Sequence, residues 1–444
     1  MSRVLRIEAN SVKEVLGRHI LTDGHDVVID LEKSRGSWIV DAVTGKEYLD
    51  LFSMFATMTV GYNHPKLLAN KERLLTAAVN KPTLSDIYAQ EYAEFVATFE
   101  EVGIPDYLPH TFFIEGGALA VENALKAAFD WKVRKNIAAG NGEKGSKVIH
   151  FHHCFHGRSG YTMSMTDSPD PRKTLYYPKF DWPRITHPHL RFPITEVVQK
   201  EVEDLENKAI SEIKQALKDN PHDIAALIIE PIQGEGGDNH IRPEFARALR
   251  SLCDEHEMIF IYDEVQTGVG ITGAFWAHEH FGEDARPDIV CFGKKSQVCG
   301  ILAGKRLDEV EQNVFAISSR INSTWGGNLV DMVRFGLIMQ IMRDEKLVER
   351  AKTSGEYLLG RLDELSEEFP GYVTNVRGKG LFAAFDLPSE TERTSVLTAV
   401  HDNGIIILPC GDRSIRFRPH LTMTHEEIDV AYDILSKSVR SCLA

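Results

Sequence analysis

The sequence predicts an α/β protein with a large, mostly parallel, doubly wound sheet and a smaller α+β lobe. Between about residues 66 and 320, helical patterns alternate with short apolar runs, which is typical of a doubly wound sheet. Before this region the chain shows strands at 27–31 and 37–51 with a turn between them, and after it a long helix leads to further strands. The small lobe is therefore expected to combine both chain ends. The predicted segments are 1–65, 66–327 and 328–444.

An N-terminal helix is expected over 10–21. Helices are predicted at 87–102, 118–135, 195–218, 243–256 and 307–313, and strands at 111–114, 147–151, 225–229, 258–262, 288–292 and 301–303. The C-terminal region is predicted to have helices at 328–345, 346–368 and 425–442, and strands at 371–376, 381–387, 404–408 and 414–418. Thr424 and Glu427 have capping-box spacing before the last helix.

The amino-acid composition restricts the possible classes of protein. The chain has 444 residues, of which 43% are hydrophobic, and 50 basic against 65 acidic side chains give a net charge of −15. This charge disfavours binding to nucleic acid or to an anionic membrane. The six cysteines form no C-x-x-C pair, which favours reduced thiols. The first ten residues lack the apolar core of a signal peptide, and no stretch has the roughly 20 apolar residues of a membrane span. We expect a soluble, cytoplasmic protein.

Lys294 follows the apolar run 289–292 and Gly293. Four apolar residues between breakers indicate a buried strand, and ligands of open α/β sheets bind at the carboxyl edge where Lys294 would lie. A lysine amine in a low dielectric has a lowered pKa and can attack a carbonyl to form a Schiff base. Taken alone, a lysine is more often a surface residue.

A second strand, 258–262, leads directly into Asp263 and Glu264. A carboxylate there is costly unless it meets a positive partner. A lysine Schiff base and a carboxylate facing a pyridinium nitrogen are paired requirements of pyridoxal phosphate chemistry. Residues 261–268 and 288–294 resemble the signature of the class III aminotransferases. The resemblance implies a fold type I transferase that binds pyridoxal phosphate, with Lys294 and Asp263 as catalytic residues and Lys294, rather than Lys295, carrying the cofactor.

The stretch 113–128 is predicted to run from a strand through the turn Gly116-Gly117 into a helix. It lacks the spacing of a P-loop, but the free N–H groups of a helix start can bind one phosphate. An ordinary strand-to-helix turn is the more frequent explanation of such a pattern. The resemblance implies that the backbone amides of Gly117 and Ala118 bind the cofactor phosphate.

Residues 147–160 contain four histidines within seven positions. A metal site is not expected, because no second cluster of ligand residues has suitable spacing. The resemblance implies that Phe155 stacks on the cofactor ring. It also implies that Arg158 binds a substrate carboxylate, for which a guanidinium is suited, although an isolated arginine is more often solvated.

Two glutamates follow the strand 225–229. The resemblance places Glu230 in the scaffold near the cofactor and makes Glu235 a glutamate that pairs reversibly with Arg416. Arg416 and Arg418 alternate on a predicted strand, so their side chains are expected to point the same way. An ordinary interdomain salt bridge is the alternative for Glu235 and Arg416.

The resemblance assigns three further contacts. Val265 would cover the cofactor ring face opposite Phe155, and Gln266 would contact the cofactor O3' and the substrate. Thr324, in the segment 322–328, would reach the cofactor phosphate of a neighbouring subunit, so a homodimer with shared sites is implied.

Several segments, such as E-G-G-A-L-A-V-E-N-A-L-K, resemble the members of the class that act on the ε-amino group of L-lysine. This implies 2-oxoglutarate as acceptor, with 2-aminoadipate 6-semialdehyde and L-glutamate as products. The alternatives are an ornithine, 4-aminobutyrate or diamine donor, or an amino-acid racemase. A cofactor-free binding protein is disfavoured because Lys294, Asp263 and the phosphate turn are all present.

Overall fold

The computed structural model describes residues 5–443. Residues 1–4 and 444, which belong to the predicted segments 1–65 and 328–444, lie outside the described residues. No helix within 5–443 is both long enough and apolar enough to cross a membrane.

The strands of the described chain are β1 (Trp38–Val40), β2 (Glu47–Asp50), β3 (His110–Ile114), β4 (Lys147–Phe151), β5 (Arg184–Ile185), β6 (Ile224–Ile229), β7 (Ile232–Gln233), β8 (Asn239–His240), β9 (Ile259–Asp263), β10 (Ile289–Phe292), β11 (Cys299–Ala303), β12 (Thr374–Lys379), β13 (Phe382–Asp386), β14 (Ile405–Ile406), β15 (Leu408–Cys410) and β16 (Ser414–Phe417). The helices are α1 (Val12–Gly17), α2 (Ser53–Ala56), α3 (Pro65–Ala69), α4 (Lys71–Asn80), α5 (Gln90–Val102), α6 (Gly117–Ala138), α7 (Gly160–Met165), α8 (Glu196–Asp219), α9 (Pro243–Glu255), α10 (Leu329–Asp344), α11 (Leu347–Glu368), α12 (Glu390–Asp402) and α13 (His425–Leu443). Of these, α2 is a single left-handed turn with positive φ throughout.

A seven-stranded sheet forms the centre of the molecule, in the order β3-β11-β10-β9-β6-β4-β5. Strand β11 is antiparallel to both its neighbours, and the other pairings in the sheet are parallel. Every residue of β6, β9 and β10 is buried. Helix α6 covers one face of these strands, while on the other face α8 and α9 cover β6 and β9, and α5 and α10 cover β10. This confirms the predicted α/β class with a mostly parallel sheet. It also brings the ends of β6, β9 and β10 to one edge.

Both chain ends contribute to the smaller sheets. In a three-stranded sheet, β2 lies between β1, which is antiparallel to it, and β14, which is parallel. A four-stranded antiparallel sheet has the order β12-β13-β16-β15. These sheets support the proposal of a small lobe made from both ends of the chain. The boundaries at 65/66 and 327/328 stay a prediction.

Some predicted elements differ from the structure. The segment 27–31 is not a strand and makes only the isolated bridge from Ile29 to Asp41. The reason is local, because the Asp30 carboxylate accepts hydrogen bonds from the N–H groups of Glu32 (3.1 Å) and Lys33 (3.0 Å) and turns the chain.

Two predicted helices are shorter than expected. The segment 10–21 forms a 3₁₀ turn and then α1, which ends at Gly17. The segment 307–313 contains only the end of the 3₁₀ helix Lys305–Glu309. There the Asn313 side chain accepts hydrogen bonds from the backbone of Phe315 and Ala316, which favours a turn. Helix α12 was not predicted, whereas the capping box of Thr424 and Glu427 is confirmed.

Candidate active site

Two adjacent lysines follow β10, and their side chains occupy different surroundings. Burial and the nearby Arg416 lower the pKa of Lys294, while Asp263 and Glu235 oppose that shift. Lys294 therefore lies among the predicted site residues. The Lys295 side chain is fully buried elsewhere, and its Nζ donates to the carbonyl oxygen of Pro419 (3.4 Å). Burial lowers the pKa of Lys295 to about 7.

The carboxylate of Asp263, at the end of β9, is held by a histidine. Its Oδ2 lies 2.7 Å from Nδ1 of His156, and its Oδ1 accepts from the N–H of Val265 (3.1 Å). Both side chains are buried. Burial alone would lower the pKa of His156, but the nearby Cys154 and the hydrogen bond with Asp263 raise it well above the usual value. The imidazolium is thus the positive partner that a buried carboxylate requires.

His156 has no predicted role from the sequence. The signal that could have found it is the requirement of Asp263 for a cation, combined with the histidine next to Phe155. Two of the other three histidines of this segment have separate partners, since His150 Nε2 accepts from Arg184 (3.2 Å) and His152 lies 3.0 Å from Asp167. Within 5–443 no group of three or more His, Cys, Asp or Glu side chains could hold a metal ion.

We expect replacement of His156 by glutamine to destabilise the fold in a pH-dependent way. Because the folded-state pKa of His156 is raised, the stability that its charge contributes is present below the unfolded pKa and is lost as the pH rises through the folded pKa. The loss in unfolding free energy should be about 1.5–3 kcal/mol near pH 6. It should shrink at alkaline pH. Urea unfolding of both proteins from pH 6 to 10 tests this, and a pH-independent difference would contradict it.

Glu230, directly after β6, binds backbone N–H groups of two separate segments. Its carboxylate accepts hydrogen bonds from the N–H of Phe155 (2.8 Å) and from the N–H of Gly234 (3.1 Å). Burial raises the pKa of Glu230 to about 7, and Asp263 adds to this while His156 opposes it. Glu230 therefore ties the loop that carries Phe155 to the turn after β6, which fits its predicted place in the scaffold.

The turn at the start of α6 packs closely against neighbouring residues. A Cβ atom at Gly117 would lie 2.9 Å from Cγ1 of Val265, and one at Gly157 would lie 2.5 Å from Cβ of Ala118. Gly116 has φ of 112°, a conformation that favours glycine. Among the described residues, no acceptor binds the N–H groups of Gly117 and Ala118. These groups and the dipole of the 22-residue helix form a position suited to an anion.

The predicted pair of Glu235 and Arg416 is formed. Arg416 Nη1 donates to Oε2 of Glu235 at 3.4 Å, and the other carboxylate oxygen of Glu235 forms an ion pair with Lys173. Burial opposes ionisation of Glu235, but Arg416 and Lys173 lower its pKa. Lys173 was not predicted, because it lies 62 positions before Glu235 in a segment without a recognisable motif.

Arg418 points to the same cavity as Arg416. The cavity is lined by Leu51, Phe52, Phe55, Gln266, Lys294, Leu408, Arg416 and Arg418. Arg418 Nε donates to Oε1 of Gln266 (2.9 Å), and its Nη1 donates to Oδ2 of the buried Asp238 (2.9 Å). Asp238 neutralises Arg418. Arg416 pairs instead with Glu235, which is only half-buried.

Two predicted site residues lie on the surface of the single chain. Arg158 and Thr324 are both exposed, and neither side chain makes a hydrogen bond or ion pair with another residue in the part of the chain that the structure describes. The structure therefore does not bring them into the cluster around Lys294, and their roles stay predictions.

Comparisons with known proteins show the family of the chain. The model of the family "Aminotransferase class-III" matches residues 20–439. The chain is 51% identical over 436 residues to an L-lysine-epsilon aminotransferase of Mycobacterium tuberculosis, covering 97% of this chain and 95% of the relative. It is 49% identical over 438 residues to the protein of the same name from Amycolatopsis lactamdurans, covering 98% and 96%. Among solved structures, the lysine aminotransferase from M. tuberculosis in the internal aldimine form matches with a TM-score of 0.96 and 49% identity, covering 98% of this chain and all of that one.

Proposed function

Because the chain belongs to the class III aminotransferases, which depend on pyridoxal phosphate, we propose that it transfers the ε-amino group of L-lysine to 2-oxoglutarate. The products would be 2-aminoadipate 6-semialdehyde and L-glutamate. The choice of L-lysine as donor is supported by the names of relatives that share about half of all residues over nearly the whole chain. The choice of 2-oxoglutarate is supported by the Glu235–Arg416 pair.

The residues present fit the cofactor. An amine with a lowered pKa (Lys294), a carboxylate held by an imidazolium (Asp263) and an open helix N-terminus match an aldehyde, a ring nitrogen and a phosphate. When bound, pyridoxal phosphate supplies an aldehyde that accepts the amino group and a ring that withdraws electrons from the reacting carbon. We propose Gly117 and Ala118 for the phosphate, and Phe155 and Val265 for the two ring faces. Gln266 and Glu230 would complete the cofactor site.

The catalytic residues have different tasks. The lowered pKa of Lys294 increases the fraction of neutral amine, so Lys294 can remove a proton from the substrate carbon that carries the amino group. Asp263 would keep a negative charge beside the ring nitrogen, and His156 fixes the position of that charge. The aromatic side chain of Phe155 would exclude water from one side of the site.

The two substrates place different groups beside the reacting carbon. Lysine presents methylenes there, whereas 2-oxoglutarate presents a carboxylate. When Glu235 is paired to Arg416, the charges of these two side chains neutralise each other. The adjacent part of the pocket can then accept the methylenes of lysine. We propose that Arg416 leaves Glu235 to bind the α-carboxylate of 2-oxoglutarate, and that Arg158 binds the distal carboxylate of both substrates.

Replacing Arg416 by alanine is expected to damage the two half-reactions unequally. Loss of a charge-assisted contact of about 1.5–3 kcal/mol predicts a roughly 10- to 100-fold weaker reaction with 2-oxoglutarate, and a much smaller effect with L-lysine. Single-turnover measurements of each half-reaction test this. Arg413→Ala is the matched control, because Arg413 is half-exposed and pairs with Asp386 instead. Equal losses in both halves would contradict the proposed switch.

We also propose a homodimer in the cytoplasm. The exposed Thr324 would bind the cofactor phosphate of the neighbouring copy, so each site would need both chains. The six cysteines are free, which supports a reducing compartment.

The donor is tested with a panel of L-lysine, L-ornithine, 4-aminobutyrate and a diamine, each with 2-oxoglutarate. We expect the highest kcat/KM for L-lysine, with glutamate and a cyclised imine as products. A higher kcat/KM for another donor would overturn the assignment of L-lysine. Racemised lysine without consumption of 2-oxoglutarate would instead indicate a racemase.

A further inference from the structure

The carboxylate of Glu235 has two cationic partners. Arg416 donates to one oxygen at 3.4 Å, and Nζ of Lys173 forms an ion pair with the other. The side chains of Glu235 and Lys173 are 24% and 20% exposed, and that of Arg416 is 7% exposed. One negative and two positive charges therefore share a space that is largely shielded from water.

Lys173 is held in this position by local contacts. Its Nζ also donates to Oγ of Ser168 (3.1 Å) and lies 5.8 Å from the ring centroid of Phe155. It ends the short 3₁₀ helix Pro171–Lys173, whose first turn is capped by the Asp170 carboxylate accepting from the N–H of Arg172 (3.1 Å). The cation thus reaches Glu235 from a segment separate from both β16 and the turn after β6, and it binds the carboxylate oxygen that Arg416 does not bind.

This arrangement affects the cost of releasing Arg416. Separating a largely buried ion pair is unfavourable mainly because it leaves one charge without a partner. If Arg416 were the only cation beside Glu235, a substrate carboxylate could bind Arg416 only by leaving Glu235 unpaired. With Lys173 present, Glu235 keeps a partner after Arg416 has left.

We propose that Lys173 is a positioning residue that holds Glu235 when Arg416 releases it, and so increases the affinity of the site for the α-carboxylate of a dicarboxylate substrate. The inference rests on the proposed function, because it requires Arg416 to exchange Glu235 for a substrate carboxylate. The amino donor requires no such exchange, so its half-reaction should depend little on Lys173.

Binding of glutarate tests the proposal without turnover. Glutarate has the five-carbon dicarboxylate chain but no reacting carbonyl group. We expect Lys173→Met to raise the Kd of glutarate for the holoenzyme about tenfold in calorimetry, a typical coupling for contacting charges. Lys173→Arg should restore the affinity, and Lys173→Gln serves if the methionine variant does not fold. Lys179→Met is the matched control, because Lys179 is an exposed lysine of the same segment whose amine donates to Thr174 (3.0 Å) and not to Glu235.

A double-mutant cycle with Glu235→Gln separates this role from simple attraction of anions. If Lys173 acts through Glu235, Lys173→Met should change the Kd less than about twofold in the Glu235→Gln background. A tenfold effect that persists there would show that Lys173 attracts the ligand directly, and it would overturn the proposal. Equal single-turnover losses with L-lysine and with 2-oxoglutarate in Lys173→Met would do the same.

The two proposals fail in distinguishable ways. If wild-type holoenzyme binds glutarate and Lys173→Met binds it equally well, the inference about Lys173 alone is wrong. If the wild type binds no glutarate, the dicarboxylate acceptor is wrong and the inference falls with it. If glutarate binds in a Lys173-dependent manner but L-lysine does not react, only the assigned donor is wrong.

Discussion

Replacing Lys294 by alanine is expected to reduce amino transfer by at least roughly 10²–10⁴-fold, the range for loss of a general base. The reason is that Lys294 is the partly buried amine lining the cavity, and its pKa is influenced by Asp263, Glu235 and Arg416 together. Removal of its amine takes away both the proposed attachment point of the cofactor and the base. Single-turnover rates with L-lysine give the size of the loss.

The neighbouring lysine is the control. Lys295 is fully buried, and its Nζ donates to the carbonyl of Pro419 rather than facing the site. We expect Lys295→Met to keep cofactor attachment, with any loss appearing in thermal stability. Borohydride reduction followed by peptide mass spectrometry should find pyridoxal phosphate fixed at residue 294 in the wild type and in Lys295→Met. Label at residue 295, or no label in the wild type, would overturn the assignment of Lys294.

Replacing Asp263 by asparagine is expected to slow both half-reactions by roughly 100- to 4,000-fold. Breaking a buried ion pair by removing one partner costs about 3–5 kcal/mol, and every 1.4 kcal/mol corresponds to a factor of ten. Asparagine preserves the shape of the side chain but not the charge that pairs with His156 and that would keep the ring nitrogen protonated. The rates of both half-reactions should fall, unlike in Arg416→Ala, because both half-reactions need electron withdrawal by the ring.

Asp288 provides a carboxylate of matched environment for this test. It is buried, precedes β10 at the opposite edge of the sheet, and pairs with Arg250 at 2.9 Å. Asp288→Asn should lower the melting temperature and leave the single-turnover rates nearly unchanged. If Asp263→Asn only destabilises the protein, as Asp288→Asn should, then Asp263 has a structural role and the proposed chemistry is wrong.

The sequence predicted the sheet well because its central strands are buried on both faces and therefore appear as uninterrupted apolar runs. The residues at or just after the C-terminal ends of β6, β9 and β10 follow from the same pattern, so Glu230, Asp263 and Lys294 could be placed near one sheet edge in advance. Prediction was weaker where local hydrogen bonds decide the conformation. The Asp30 turn, which replaces the strand expected at 27–31, is one such case.

The sequence by itself determined the fold class, the family resemblance and the residues whose chemistry suits the cofactor, because hydrophobic periodicity and motif spacing are properties of neighbouring positions. Only the tertiary structure decided which groups neutralise which charges. His156 meets Asp263 across 107 positions, and Lys173 meets Glu235 across 62. The physical reason is that the interaction energy of two charges in a low-dielectric interior depends on their distance in space. Separation along the chain does not reveal that distance.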